Sequence, residues 1–211
     1  MPSTQYESSF YSAIRSGCQR SAEAVAPLVL GLMPPVSSLV DVGCGEGWWG
    51  AAFGRELNRR GESPKVLGLD SGTLGVTPPI QVDEVDLRQR FSRTEKFDLA
   101  ICLEVAEHLP PERAETFVGD LCALADVVLF SAAQPRQGGT GHINCQPPAY
   151  WAELFRGEGF GWKDELRRRV WQDDRVESWY ASNMLMFWRG AGRMGGSPDW
   201  LIHPELWLQP R

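Results

Sequence analysis

Three glycines at alternate positions, Gly43, Gly45 and Gly47, follow the apolar run Leu39-Val40-Asp41-Val42 and precede Trp48-Trp49-Gly50-Ala51. A backbone without Cβ atoms can take positive φ and let a ligand lie against the main chain. The helix expected to follow adds unpaired N–H groups and partial positive charge at the same place. Two chemistries compete for such a pocket. Gly45-x-Gly47-x-x-Gly50 spells a dinucleotide fingerprint, and Asp70, closing the next apolar run, stands where an NAD-type oxidoreductase would hold a ribose. Against that reading, Asp41 lies inside the strand just before Gly43. An acid aimed at the pocket mouth repels a pyrophosphate and attracts a cation. S-adenosylmethionine (SAM) carries a sulfonium and an ammonium and no phosphate, so the acid favours SAM.

Groups able to move protons sit further along. Glu104 and His108 follow the apolar run Phe97–Leu103, and His142 lies in the glycine-rich stretch after Val127–Ser131. Imidazole titrates near neutral pH, which suits it to accept a proton from a hydroxyl or an ammonium. His142 is the candidate base or substrate-orienting group, with His108 and Glu104 beside it. His203, in the tail, is set aside. Each choice has a plainer alternative: Asp41 capping the helix after the glycines, Asp86 ending an edge strand, His108 and Glu104 capping or packing at a helix start. No metal site is predicted, because His142 and Cys145 lack a matching second pair of ligands.

These residues need a scaffold. Ala22, Val25, Ala26, Val29, Leu32 and Met33 recur at helical spacing until Pro34-Pro35 stops them. Trp48, Ala51, Ala52, Phe53 and Leu57 form a second helical stripe, and Val66–Asp70 a second buried strand. Ser71–Ile80 reads as a loop and Val82–Leu87 as a short edge strand. Phe97–Leu103 is a further strand. Pro110-Pro111 opens a helix carrying Ala114, Phe117, Val118, Leu121, Cys122 and Ala125, and Val127–Ser131 is a fifth strand. A short helix follows with Tyr150, Trp151, Leu154 and Phe155 inward. Leu166–Trp171 and Met184–Trp188 are the two late strand candidates. Strands alternating with helices predict a mostly parallel sheet covered on both faces, with ligands beyond the carboxyl ends of the strands. Asp41, Asp70, Asp86, Glu104 and Ser131 all fall at or near those ends.

The bulk numbers fit one α/β domain. The chain has 211 residues, 43% hydrophobic, with a net charge of −6. That charge argues against a nucleic-acid backbone as the main partner, and the local run Arg167-Arg168-Arg169 with Arg156 reads as a solvated edge. Five cysteines form no C-x-x-C pair, and no stretch has the pattern of a leader or a membrane span. A reduced, cytoplasmic protein with no membrane partner is expected. Residues 1–20 read as an N-terminal segment able to cover the pocket, 21–190 as the catalytic domain, and 191–211 as a tail suited to homodimer contact.

Taken together, the motifs resemble class I SAM-dependent methyltransferases, over about Ala22–Trp188. Val40-Asp41-Val42-Gly43-Cys44-Gly45-Glu46-Gly47 is similar to the family's first motif, and Val85-Asp86-Leu87 to its adenine-binding segment. Leu103-Glu104-Val105-Ala106-Glu107-His108-Leu109 is close to the "LEVxEHL" stretch of small-molecule members. Phe130–Ala133, Gly138–Asn144 and Tyr150-Trp151 resemble one bacterial subgroup, which carries Glu-Gln-Trp-Pro where this chain has Cys145-Gln146-Pro147-Pro148. The resemblance implies a Rossmann-like three-layer sandwich whose seven-stranded sheet has the order 3-2-1-4-5-7-6, the last strand antiparallel. It implies that Gly43, Cys44, Gly45 and Gly47 carry the methionine part of SAM and that Asp41 balances its ammonium. Asp70 would take both ribose hydroxyls, Asp86 the adenine amino group, the Leu87 N–H a ring nitrogen, and Glu104 cofactor or substrate. The Pro-Pro-aromatic signature of amino-methylating DNA enzymes is missing after the fourth strand, and Gln146-Pro147-Pro148-Ala149-Tyr150 stands in the wrong place for it. No Pro-Cys for cytosine-C5 chemistry is present there either. A small acceptor is therefore expected, O- or N-methylated, such as a sugar or natural-product intermediate. An NAD-type oxidoreductase and a silent SAM-binding scaffold are the alternatives.

Overall fold

The strand segments are apolar at almost every position, so both faces of their sheet must be covered, and the helices between them supply the cover. The structure, a computed structural model, describes residues 8–72, 77–190, 198–199 and 201–207, with the backbone alone for 8–15 and 207. The first seven residues, 73–76 of the Ser71–Ile80 loop, and 191–197, 200 and 208–211 of the expected tail lie outside the described residues. In chain order the elements are α1 (Ser8–Leu30), β1 (Ser38–Val42), α2 (Trp48–Arg59), β2 (Lys65–Asp70), β3 (Gln81–Glu84), β4 (Leu99–Leu103), α3 (Ala114–Leu124), β5 (Val127–Ser131), α4 (Pro148–Gly157), β6 (Phe160–Lys163), α5 (Leu166–Val170), α6 (Ser178–Asn183), β7 (Leu185–Arg189) and α7 (Pro204–Trp207). Short 3-10 turns at Ala106–His108 and Pro111–Arg113 lead into α3.

The strands form one sheet in the order β3-β2-β1-β4-β5-β7-β6. β1 to β5 pair in parallel, and β7 runs antiparallel to both β5 and β6. This is the expected architecture. Alternation along each strand divides the core. Leu39, Leu99, Ile101 and Leu129 pack with Val25 and Val29 of α1, Phe53 of α2, Leu166 of α5 and Tyr180 of α6. Val40, Ala100, Cys102, Val128 and Phe130 pack with Phe117 and Leu121 of α3 and Trp151 and Phe155 of α4. Phe155 stacks on Phe187 at 3.9 Å, and Phe130 meets Phe155 edge-on at 5.3 Å. The two helical layers therefore cover the central strands and leave their ends and the edge strand β3 open to solvent.

One expected strand is a helix. Leu166 and Val170 of α5 are four residues apart and both buried, whereas Arg168 and Arg169 between them are exposed. A strand would have put Leu166, Arg168 and Val170 on one face, and the charge on Arg168 makes that arrangement costly. The sixth strand is instead Phe160–Lys163, entered through Gly159 at φ 82°. Arg167, offered by the sequence as part of a basic surface, is fully buried. It is paired with Asp164 and donates to the carbonyls of Ser182 (3.2 Å) and Asp199 (3.0 Å). The edge strand β3 ends at Glu84, shorter than the expected Val82–Leu87. α1 runs unbroken from Ser8 across the expected boundary at residue 20. The helix after Pro110-Pro111 begins at Ala114, after the Pro111–Arg113 turn.

A buried ion pair fixes the segment that follows β3. Arg113 donates to the carbonyls of Leu87 (3.1 Å) and Gln89 (2.9 Å), to the Thr116 hydroxyl (2.7 Å) and to the Asp120 carboxylate. Arg113 and Asp120 are 5% and 4% exposed, so each would be an uncompensated charge without the other. Arg113→Met should lower the stability to urea unfolding by about 3 kcal/mol. A loss below about 1 kcal/mol would show that Arg90, 3.5 Å from Asp120, takes over the pairing.

Candidate functional site

β1 delivers the chain to a turn that only glycine can form. Gly43, Gly45 and Gly47 have φ of 73°, 53° and 82°, and a Cβ on Gly43 would sit 2.4 Å from Val105 Cγ2. Side chains rarely tolerate either condition. The turn is hydrogen-bonded to the end of β2: the N–H groups of Gly43 and Cys44 donate to the Leu69 carbonyl (2.7 and 3.3 Å), and that of Gly45 donates to Asp70 Oδ2 (2.8 Å). Cys44 is buried over Gly68, where a Cβ would lie 2.7 Å from its Sγ. Gly50, the last glycine of the dinucleotide-like spacing, packs against Ile80 and Asp41 inside the protein.

Asp41 is 3% exposed and accepts the Gly50 N–H at 2.8 Å, capping the first turn of α2 from beneath. Burial pushes its carboxyl up to about 7, against the stabilising Gly50 bond, and the charge of Asp70 adds to the rise. Asp70 is likewise raised by burial, opposed by bonds from Gly45, Ser71 and Gly72. Among the described residues neither acid has a Lys or Arg partner. Asp86 and Leu87 stand apart. Asp86 is gripped by Arg88 Nε (2.8 Å) and Nη2 (3.0 Å), which hold it below the usual carboxylate range, and Leu87 is buried with its carbonyl on Arg113. Asp86 lines a groove of about 400 Å³ with Gln89, Pro110 and Glu112. A larger groove, about 570 Å³, lies among Arg168, Arg169, Trp171, Gln172, Asp173 and Leu201 and holds none of the strand-end residues.

The other half of the rim follows β4 and β5. Glu104 has φ 55°, a left-handed backbone that costs a non-glycine residue about 1–3 kcal/mol and that concentrates at functional sites. Its N–H is held by the carbonyl and hydroxyl of Ser131, both at 3.0 Å. Asn183 Nδ2 (3.0 and 3.3 Å) and Gln137 Nε2 (3.2 Å) donate to its carboxylate. Gln134 bonds Asn183 Oδ1 at 2.8 Å and the Leu201 carbonyl at 2.9 Å, tying the chain near α7 into the same network. Close by, His108 and His142 meet edge-to-face, their rings 4.8 Å apart. Burial holds both imidazoles neutral: His108 falls to about 4, helped by the neighbouring His142, and His142 is lowered too.

The structure thus gathers the predicted residues into two groups. Asp41, Gly43, Cys44, Gly45, Gly47 and Asp70 form one, and Glu104, His108 and His142 the other. Val105, packed on Gly43, joins them. Asp86 and Leu87 lie at the outer rim. Sequence reasoning passed over Asn183, Gln137 and Gln134, whose amides are common in loops. It also passed over Glu107, although an acid in an otherwise apolar stretch before a histidine was a signal.

No family model matches the chain, and no curated protein matches it. Solved structures do. It is similar to the sugar N-methyltransferase KedS8 from Streptoalloteichus sp. (14% identity, 90% of this chain and 95% of that one, TM-score 0.66). It is similar to the SAM-bound amino pentose methyltransferase CalS10 from Micromonospora echinaspora (17%, 90% and 100%, 0.61). It is also similar to magnesium protoporphyrin IX methyltransferase from Synechocystis, solved with SAH (21%, 89% and 90%, 0.58). The chain has the fold these proteins share.

Asp41 gives the site a measurable titration. The fold holds its proton up to about pH 7, whereas an unfolded aspartate releases it near 3.8. Its contribution to stability is therefore full below pH 3.8 and is lost as pH rises through 7. Asp41→Asn does not titrate. Relative to wild type, its stability in urea should improve by roughly 4 kcal/mol between pH 4 and pH 8. A difference constant with pH would mean that Asp41 is ionised throughout.

Proposed function

We propose that the chain is a SAM-dependent methyltransferase acting on a small-molecule acceptor, at an oxygen or nitrogen of a sugar or natural-product intermediate. The observation that carries this reading is a Cβ-free turn lying between one buried acid, Asp41, and one half-buried acid, Asp70, neither with a basic partner among the described residues. The ammonium and sulfonium of SAM complement such a site, whereas a pyrophosphate would add charge of the wrong sign. The antiparallel β7 between β5 and β6 departs from the 3-2-1-4-5-6 order of dinucleotide-binding sheets, which also speaks against an oxidoreductase. The sugar-modifying enzymes among the similar structures support a small acceptor.

Bound SAM would supply a methyl group on a leaving group that departs as a neutral thioether. The chain's own task is alignment. In this reading Gly43, Cys44, Gly45 and Gly47 carry the methionine part, and Asp41 balances the ammonium directly or through water. Asp70 holds the ribose hydroxyls. Asp86 and the Leu87 N–H read the adenine once Arg88 releases the Asp86 carboxylate. Glu104, oriented by Asn183 and Gln137, touches cofactor or acceptor. His142, with His108, orients the acceptor and takes its proton, a role that neutral rings can fill at pH 7. Residues 1–20 as a lid, 191–211 as a homodimer contact and a cytoplasmic location complete the proposal. Among the described residues no helix is long and apolar enough to cross a membrane.

Calorimetric titration with SAM, its demethylated product and NAD tests the pocket. Wild type should bind SAM and not NAD, and Asp70→Ala should weaken SAM by about tenfold or more, the worth of a charged hydrogen-bond pair. NAD binding without SAM binding would overturn the proposal in favour of an oxidoreductase.

A further inference from the structure

Glu107 has no role in the site so far described, yet it is the most costly side chain there. It is fully buried, and neither carboxylate oxygen has a well-formed hydrogen bond among the described residues; the N–H groups of Glu107 and Ala133 and the Glu104 carboxyl are its nearest polar neighbours. A second buried carboxylate, Glu104, acts on it with like charge. Burying an acid this way is unfavourable unless a proton or a cation accompanies it.

Its surroundings are arranged as a ligand set. One ligand atom each from Glu107, His108 and His142 lie within 4.8 Å of one another. The backbone fixes them: the Glu107 carbonyl accepts the N–H groups of Ile143 (2.8 Å) and Asn144 (2.9 Å), so the residue after His142 is clamped to the same position as the acid. The Gly141 carbonyl lies 3.2 Å from His108 Nδ1 and can only accept, which places the proton on Nδ1 and the lone pair on Nε2. Metal-binding histidines are oriented in this way. His142 Nδ1 is buried without a partner. The 137–141 loop lies against its ring so closely that a Cβ on Gly139 would be 2.1 Å from His142 Cε1.

We propose that Glu107, His108 and His142 form a binding site for one first-row divalent cation, of the Mn2+, Co2+ or Zn2+ type. Two imidazoles with one carboxylate favour these ions over Mg2+ and Ca2+, which prefer oxygen ligands. Donor atoms at about 2.1 Å from such an ion stand about 3–4 Å from one another, within reach of small rotations of these side chains. Glu104 stands beside the site as a further carboxylate. Three protein ligands leave coordination positions open. Through Val105 on Gly43 the cluster adjoins the glycine turn, so an open position can take an acceptor hydroxyl and make it more acidic. That use of the ion, which favours an oxygen acceptor, rests on the methyltransferase reading, whereas the cation site itself does not.

The test starts from chelator-stripped wild type, Glu107→Gln and His142→Ala, each checked for folding by thermal melting. Mn2+ is titrated by electron paramagnetic resonance and calorimetry, Co2+ by its visible absorption, and SAM by calorimetry on the same samples. Wild type should bind one Mn2+ per chain and give a Co2+ spectrum, and each substitution should weaken Mn2+ at least tenfold. Glu107→Gln, which removes a charge but little volume, should keep its fold and its SAM affinity. A wild type that takes up neither ion, or variants that bind Mn2+ as tightly as wild type, would overturn the site whatever SAM does. Metal binding without SAM binding would leave the cation site standing and remove the methyltransferase reading.

Discussion

Two carboxylates, Asp41 buried and Asp70 half-buried, hold the glycine turn in place, and the site is built outward from that grip. Asp70 takes the Gly45 N–H at the front of the turn and Asp41 takes the Gly50 N–H behind it. Both acids come from strand ends that parallel pairing brings side by side, Asp41 opposite Gly68 and Val42 opposite Leu69. The same pairing sets the turn against Val105, which leaves no room for a side chain on Gly43. Sheet register, turn conformation and the start of α2 are therefore one unit, and none can shift without the others.

That unit carries an electrostatic debt. Asp41, Asp70, Glu104 and Glu107 are all raised by burial, and no lysine or arginine among the described residues pairs with them. Two other buried charges are held in ion pairs, Arg113 with Asp120 and Arg167 with Asp164. In the proposed reading, the contrast separates structural charge from charge kept for a ligand. The left-handed Glu104 is held by five hydrogen bonds with Ser131, Asn183 and Gln137.

The parts of this arrangement that are local were legible in the sequence. Val40-Asp41-Val42 followed by alternating glycines announces a strand and a bound-backbone turn, because few other residues could serve there. Asp70 was readable from its place at the end of an apolar run. The short segments after residue 158 were not. Phe160–Lys163 has too few residues to show a period, and the alternation of Leu166 and Val170 around three arginines is compatible with strand or helix until the burial of Arg167 decides it. Asn183 and Gln134 reach Glu104 across long stretches of chain, and no spacing rule encodes contacts of that range.

The position of β7 has a consequence for how the chain acquires its structure. Among the described residues it is the last strand along the chain, yet it lies inside the sheet, hydrogen-bonded to β5 on one side and β6 on the other. The central strand also waits, since Leu39 pairs with Leu99, far along the chain. Contacts of such separation form slowly, and a nascent chain carries exposed strand edges meanwhile. Until Leu185–Arg189 has left the ribosome, β5 offers an open edge and β6 has no sheet partner. A chain stopped just short of Leu185 would keep every residue of the glycine turn and the histidine cluster, and would aggregate.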